Sequence, residues 1–204
     1  MPDQSVYYAP AKLVRCRFSE QGSRFTGTLI PAATEEDAKE ALQELSEEYP
    51  DATHHAFAYR IRVSGAVVER ASDDGEPAGT AGPPMLQQLQ GGNIADALVV
   101  GTRYYGGVKL GIGGLTRAYR ECARLCITEA AFKKKEPLDK YRLTISYEDL
   151  GAVTRLLESL GGQVLKADYT EHVCLRLCIP TRSALALLNG FESATRGRGK
   201  WEKE

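Results

Sequence analysis

Residues 95–119 read ADALVVGTRYYGGVKLGIGGLTRAY, and this stretch predicts a strand, a loop and a helix in succession. Residues 95–105 form a mostly apolar run, which is typical of a strand buried on both faces near the centre of a sheet. Residues 106–114 are rich in glycine and form the predicted loop. A helix is expected from about Leu115 to Phe132.

The segments before this stretch carry alternating strand and helix signals. Alternation over residues 6–19 and 24–30 predicts two strands. Thr34 precedes three acidic residues, which is typical of a capped helix start. Residues 54–63 alternate as the first strand of a hairpin. A loop rich in glycine and proline, residues 72–84, then leads into a short helix with proline in its first turn.

The chain is predicted to divide into two domains, residues 1–135 and 136–204. The lysines of residues 133–135, with Glu136 and Pro137, have the composition of a short linker. Beyond the linker the elements follow the order β-α-β-β-α-β, which is that of a ferredoxin-like sandwich. The predicted fold class is therefore α+β with two domains.

Length and composition are those of an ordinary globular protein. The chain has 204 residues, of which 43% are hydrophobic and 26% charged, and its formal net charge is -1. Any contact with nucleic acid therefore needs a local basic surface. The sequence shows neither a signal-peptide pattern nor an apolar run long enough for a bilayer, so we expect a cytoplasmic protein with no membrane partner. The chain has five cysteines and no CxxC motif, which favours their interpretation as reduced, buried thiols.

Three segments of the first domain carry a resemblance to a known family. They are DATHHAFAYRI at residues 51–61, ASDDGEPAGTAGPPML at residues 71–86 and TRYYGGVKLGIGGLTRAYRE at residues 102–121. Together they resemble the signature of the YigZ/IMPACT family, and the likeness spans roughly residues 5–130. The rest of the chain resembles the smaller domain found in bacterial members.

The resemblance implies both folds and a role. It implies a first domain with the two-layer α/β fold of the second domain of the fifth small-subunit ribosomal protein. It also implies a ferredoxin-like second domain similar to domain V of elongation factor G. Eukaryotic relatives modulate a stress kinase that controls translation initiation. The resemblance therefore implies a translation-linked binding protein whose partner is RNA, the ribosome or a translation-associated protein, although fold alone does not define activity.

The loop after residue 71 carries three carboxylates within four positions, which makes it a candidate site. Such a cluster can hold magnesium through oxygen ligands or supply a general acid or base. The alternative is that the acids serve turns and cap the next helix. The paired histidines 54 and 55 lie on opposite sides of a strand and cannot share a metal, so no metal site is predicted. The candidate residues are His54, Asp73, Asp74, Gly75, Glu76, Pro77, Gly79 and Thr80.

The glycine-rich segment before the long helix is a second candidate site. It fits neither the Walker A nor the GxGxxG pattern, but free backbone N–H groups at a helix start favour anions. Nearby cations and tyrosines add the surface of a phosphate or RNA-backbone contact. The alternative is that the glycines allow close packing and the cations are solvated. The candidate residues are Arg103, Tyr104, Tyr105, Gly106, Gly107, Lys109, Gly111, Gly113, Gly114, Arg117 and Arg120.

Three functions are compatible with these features. The first is a binding protein for the translation machinery, and the second is an enzyme or sensor for a small phosphorylated ligand. The third is a protein-interaction module. No complete catalytic set is visible, so catalysis is left open, and no cofactor is predicted unless the carboxylates hold magnesium. The sequence does not decide the oligomeric state or whether the two glycine-rich loops meet in one cleft.

Overall fold

The architecture is that of a computed structural model, which describes residues 6–63 and 66–204. These residues form two compact units, Tyr7–Lys135 and Glu136–Glu204. Both units combine helices with antiparallel sheets, so the predicted mixed α/β class with two domains is confirmed. None of the helices in the described ranges is long and apolar enough to cross a membrane.

The first unit is built on a five-stranded antiparallel sheet in the order β2-β3-β6-β4-β5. A separate two-stranded ribbon pairs β1 with β7. In chain order the elements are β1 (Tyr7–Pro10), β2 (Val14–Glu20), β3 (Ser23–Pro31), α1 (Glu35–Glu48), β4 (His54–Val63), β5 (Ala66–Ser72), α2 (Gly82–Gly91), β6 (Ala97–Tyr104), α3 (Gly111–Glu129) and β7 (Phe132–Lys135).

Strand β6 is buried on both faces because helices cover both sides of the sheet. Its successive side chains point to opposite faces. Ala97 and Val99 pack in a core with α2 and α3, whereas Leu98 and Val100 pack in a second core with α1. All four side chains are fully buried. Helix α1 thus adds a cover opposite α2 and α3, in addition to the two layers that the resemblance implied.

Helix α1 begins where its cap predicts. The Thr34 hydroxyl accepts from the backbone N–H of Asp37 at 3.0 Å, and the Asp37 carboxylate accepts from the backbone N–H of Thr34 at 3.0 Å. This reciprocal pair is a capping box, which satisfies backbone donors that the first turn leaves free. The Thr34 side chain, together with the backbone N–H groups of Ala33 and Thr34, holds the pKa of the Asp37 carboxyl below its usual value.

The prediction for α3 was wrong at both ends. The helix begins at Gly111 instead of near Leu115, although glycine has low helix propensity. Packing of the buried Leu115 and Tyr119 against the sheet outweighs that local preference. The helix ends at Glu129, and the lysines of residues 133–135 lie in β7, where they pair with β1 and do not form a free linker.

The second unit has the predicted β-α-β-β-α-β order. Its four strands form an antiparallel sheet in the order β11-β8-β10-β9, and both helices contribute to one core containing Leu143, Leu177 and Phe191. This order, with the first and third strands of the unit adjacent at the centre, is that of a ferredoxin-like sandwich. The elements are β8 (Leu138–Ile145), α4 (Leu150–Ser159), β9 (Gln163–Tyr169), β10 (Val173–Pro180), α5 (Ala184–Thr195) and β11 (Lys200–Lys203).

A close backbone contact at the end of β6 gives a first testable prediction. A Cβ added at Gly106 would lie 1.9 Å from the carbonyl carbon of Gly22, so Gly106→Ala forces two backbone segments apart. We expect this variant to lower the free energy of unfolding by about 1–3 kcal/mol in urea denaturation. Gly91→Ala is the control, because a Cβ there meets nothing within 4 Å. Equal stability of the two variants would contradict the close contact.

Candidate functional site at one end of the first sheet

A buried ion pair joins the two glycine-rich segments. Glu76, in the loop before α2, is 8% exposed, and Arg103, near the end of β6, is 5% exposed. Nη1 of Arg103 donates to the two carboxylate oxygens of Glu76 at 2.8 and 3.1 Å, and Nη2 donates to the hydroxyl of Ser23 at 3.1 Å. The pair therefore holds the loop of residues 73–80 beside the strand end that leads into residues 105–110.

Tyr119 and His54 complete the surroundings of the Glu76 carboxylate. Tyr119 is fully buried on α3, and its hydroxyl donates to Oε1 of Glu76 at 2.7 Å. Burial, together with this hydrogen bond to a carboxylate, raises the pKa of Tyr119 well above its usual value. Nδ1 of His54 donates to the carbonyl oxygen of Asp74 at 2.6 Å, and its Nε2 lies 3.8 Å from Oε1 of Glu76. One carboxylate thus connects α3, β4 and β6 to the loop.

The other two carboxylates of this loop accept hydrogen bonds from the backbone. Asp73 accepts from the N–H of Gly79 in the loop at 2.7 Å, and from those of Ala81 and Gly82 at the start of α2 at 2.8 and 3.0 Å. Asp74, with a φ of 46°, accepts from the N–H of His55 at 2.5 Å. The Asp73 carboxylate therefore holds the turn and the start of α2, whereas the Asp74 carboxylate joins the loop to β4. Among the described residues, no group of three His, Cys, Asp or Glu side chains is arranged to hold a metal ion.

The remaining predicted residues of this loop shape the turn. Gly75 has a φ of 81°, which favours glycine, and a Cβ there would lie 3.5 Å from the His54 ring. The buried Thr80 hydroxyl donates to the carbonyl oxygen of Pro77 at 2.6 Å. The loop is thus held by its own hydrogen bonds, and His54 borders it on β4.

Arg103 does not have the exposed position that a phosphate contact requires. Its guanidinium is buried against Glu76, and the β register places Phe25 and His54 on its two sides. The sequence contained a signal for this burial, because Arg103 has the same parity along β6 as the buried Ala97. Sequence reasoning also missed Ser23, whose hydroxyl accepts from the N–H of Gly106 at 3.2 Å.

The start of α3 is open and basic. No side chain caps the helix, and Gly111, its first residue, has a φ of 68°. Lys109 and Arg117 are exposed, and neither forms an ion pair with any described residue. A Cβ at Gly113 would lie 3.4 Å from Nη1 of Arg117, so this guanidinium lies beside the first helical turn. Backbone donors and two cations therefore share one exposed surface.

The other residues of the glycine-rich candidate lie on or near this surface, with one exception. Tyr105 is 47% exposed, and Cζ of Arg103 lies 5.3 Å from its ring centroid. Gly107 is exposed, Gly114 is buried, and Arg120 is exposed one turn beyond Arg117. The exception is Tyr104, whose side chain points to the α1 face of the sheet.

Comparison with known proteins shows the family to which this chain belongs. The sequence model of the Impact N-terminal domain matches residues 21–127, and that of a domain of unknown function matches residues 143–198. The chain therefore belongs to the IMPACT family, and the resemblance noted in the sequence is confirmed.

Individual relatives match most of the chain. Identity to the IMPACT family member YigZ of Escherichia coli (strain K12) is 39% over 162 residues, which cover 78% of each chain. Identity to YvyE of Bacillus subtilis (strain 168) is 31% over 176 residues, covering 86% of this chain and 81% of that protein. A crystal structure of a hypothetical protein matches with a TM-score of 0.71 at 33% identity, covering 97% of each chain.

The buried cluster predicts a measurable coupling between two side chains. Glu76→Gln leaves the Arg103 charge buried without its counter-ion, and we expect it to lower the free energy of unfolding by about 3–5 kcal/mol. Tyr119→Phe removes one hydrogen bond to a charged acceptor and should cost about 1.5–3 kcal/mol. Urea unfolding of both single variants and the double variant measures the coupling. Additive effects would contradict a shared network, since coupled residues do not add.

The raised pKa of Tyr119 predicts a stability loss at high pH. In the unfolded chain tyrosine ionises near pH 10, whereas the buried Tyr119 stays neutral beside Glu76. The folded state therefore binds more protons above pH 10, and its stability falls as pH rises from there toward the folded pKa. Over roughly pH 9 to pH 11, the free energy of unfolding of Tyr119→Phe should fall less steeply with pH than that of the wild type. If the unfolding free energies of the two proteins fell in parallel with pH, the prediction would be contradicted.

Proposed function

We propose that the chain is a translation-linked binding protein that contacts RNA phosphates, on the ribosome or on RNA bound to it, through the open start of α3. The contacting surface, called here the α3-start surface, consists of Gly106, Gly107, Lys109, Gly111, Gly113, Arg117 and Arg120. The observation that carries the proposal is a helix start without a side-chain cap, beside cations that form no ion pair with the described residues. Phosphate oxygens accept hydrogen bonds from such N–H groups, and the cations neutralise their charge.

The surface supplies its charge locally, which reconciles the proposal with a net charge of -1. Arg117 and Arg120 are three residues apart on α3, so their side chains are neighbours on the helix surface. Lys109 lies just before the first turn of the same helix. Three cations at this spacing suit a backbone of repeated phosphates better than a single small anion. The translation link itself rests on the family resemblance.

A contact with a translation-associated protein is the second candidate function, and a specific observation favours it. The loop before α3 and the first turn of this helix expose apolar side chains at Tyr105 (47%), Val108 (51%) and Ile112 (70%). Apolar side chains exposed in a group are typical of protein contacts, whereas phosphates do not need them. Both candidate functions therefore use the start of α3 and the loop before it. They differ in whether the cations or the apolar side chains there provide the binding energy.

Ribosome sedimentation tests the proposal directly. We expect the wild-type protein to co-sediment with ribosomes at low salt and to dissociate as salt rises. Lys109→Ala/Arg117→Ala should reduce binding and lower the slope of log affinity against log salt by about 1–2, which corresponds to two lost phosphate contacts. The matched control is Lys12→Ala/Arg155→Ala, which removes two exposed cations elsewhere.

The outcomes separate the two candidates. Equal binding by the test and control variants would contradict a phosphate contact at the α3-start surface. Binding that survives both nuclease treatment and raised salt, but is lost in Ile112→Ser, would identify the protein contact instead. Absence of co-sedimentation at every salt concentration would contradict both candidates.

A further inference from the structure

The α1 face of the first sheet is polar beyond the end of α1. The strand register aligns Arg17, Thr26, Thr102 and His55 in one row across β2, β3, β6 and β4. These side chains share a face with Leu98 and Val100, which pack under α1. His55 is held in this row, because its Nε2 donates to the carbonyl oxygen of Tyr49 at 3.2 Å. The His55 side chain at the end of this polar row is therefore held in place.

A cavity of about 460 Å³ lies over this part of the sheet. Its volume falls within the range of small-molecule sites, roughly 300–1,000 Å³. None of the described residues that line it carries a carboxylate. The lining consists of Arg17, Phe18, Ser19, Arg24, Phe25, Thr26, Tyr49 and Tyr104.

The Glu48 carboxylate acts electrostatically on Arg17, one of the two cations of this cavity. Arg17 and Arg24 are exposed, and neither forms an ion pair within the described ranges. The neighbouring Arg15 differs, because it donates to both carboxylate oxygens of Glu48 at 2.7 and 2.5 Å. The cavity therefore presents two guanidinium groups that no described carboxylate contacts directly, and they suit an anion such as phosphate because they donate in a planar fork.

Flat side-chain surfaces lie beside these charges. Cζ of Arg24 is 5.0 Å from the ring centroid of Tyr104, and Tyr49, which directly follows α1, also lines the cavity. Aromatic rings and guanidinium planes are the surfaces on which nucleic-acid bases stack. Hydroxyl groups at Ser19 and Thr26 add hydrogen-bond capacity. The cavity thus combines positive charge with stacking surface and hydroxyls.

We propose that this cavity is a nucleotide site, in which the base stacks on Tyr104 and Arg24 and the phosphate binds Arg17 with the hydroxyl of Ser19 or Thr26. The shared chemistry of its ligands is a planar base joined to a phosphate, either as a free mononucleotide or as one residue of single-stranded RNA. The site differs from the α3-start surface, because it lies on the opposite face of the sheet.

NMR titration of the intact chain tests the site with defined probes. The probes are AMP, UMP, inorganic phosphate and single-stranded hexauridylate. We expect the backbone amides of Thr26 and Tyr104 to shift with the nucleotides, with affinity at least tenfold tighter than for inorganic phosphate. Tighter binding of the oligomer than of UMP identifies RNA as the source of the ligand, whereas equal affinities identify a free nucleotide. Both outcomes support the site.

Two double variants separate this site from the proposed function. Arg17→Ala/Arg24→Ala should weaken nucleotide binding at least tenfold with an unchanged melting temperature, because both side chains are exposed. Lys109→Ala/Arg117→Ala removes the same charge from the other surface and should keep nucleotide binding. Unchanged affinity in the first variant, equal losses in both, equal affinity for phosphate and nucleotide, or no binding at millimolar probe would each overturn the proposal.

Discussion

The ion pair between Glu76 and Arg103 is the interaction on which the candidate site depends. Removing two charges from water is costly, and the cost is offset only when geometry and further hydrogen bonds are favourable. Here both carboxylate oxygens accept from Arg103, and Tyr119 and Ser23 add hydrogen bonds to the two charged groups. The pair joins residues 27 positions apart, and it holds against the sheet a loop whose apolar residues Pro77 and Ala78 are exposed.

Most of the fold could be predicted from the sequence because its signals are local. The alternation of β4, the apolar run of β6 and the cap at Thr34 each depend on neighbours within a few positions. The start of α3 could not be predicted in this way. Glycines at its beginning disfavour a helix, and only packing of Tyr119 in the core of the complete domain outweighs them. Propensity alone therefore places the boundary too late.

The candidate site could be predicted only in part, because the sequence does not show which of its charged side chains are buried together. Of the three carboxylates, Asp73 has the turn and cap contacts that its sequence position favours, whereas Asp74 binds the backbone of β4 and Glu76 pairs with Arg103. The parity of Arg103 along β6 indicates its face of the sheet, but its pairing depends on where a distant loop places Glu76, which spacing along the chain does not reveal. The cavity beside Arg24 could not be predicted from the sequence either. Its lining comes from β2, β3, β6 and the end of α1, which only the folded sheet brings together.

The contact between Gly106 and Gly22 has a mechanical consequence. The turn at Gly22 connects the strands that carry Arg17 and Arg24, whereas Gly106 begins the segment that carries Lys109. No side chain lies between these two backbone segments, so no change of rotamer can take up a displacement. Motion of one segment toward the other is therefore transmitted directly. A ligand that moved the turn would move the loop. Linkage then requires that any effect of occupancy on one face on affinity at the other be equal in both directions.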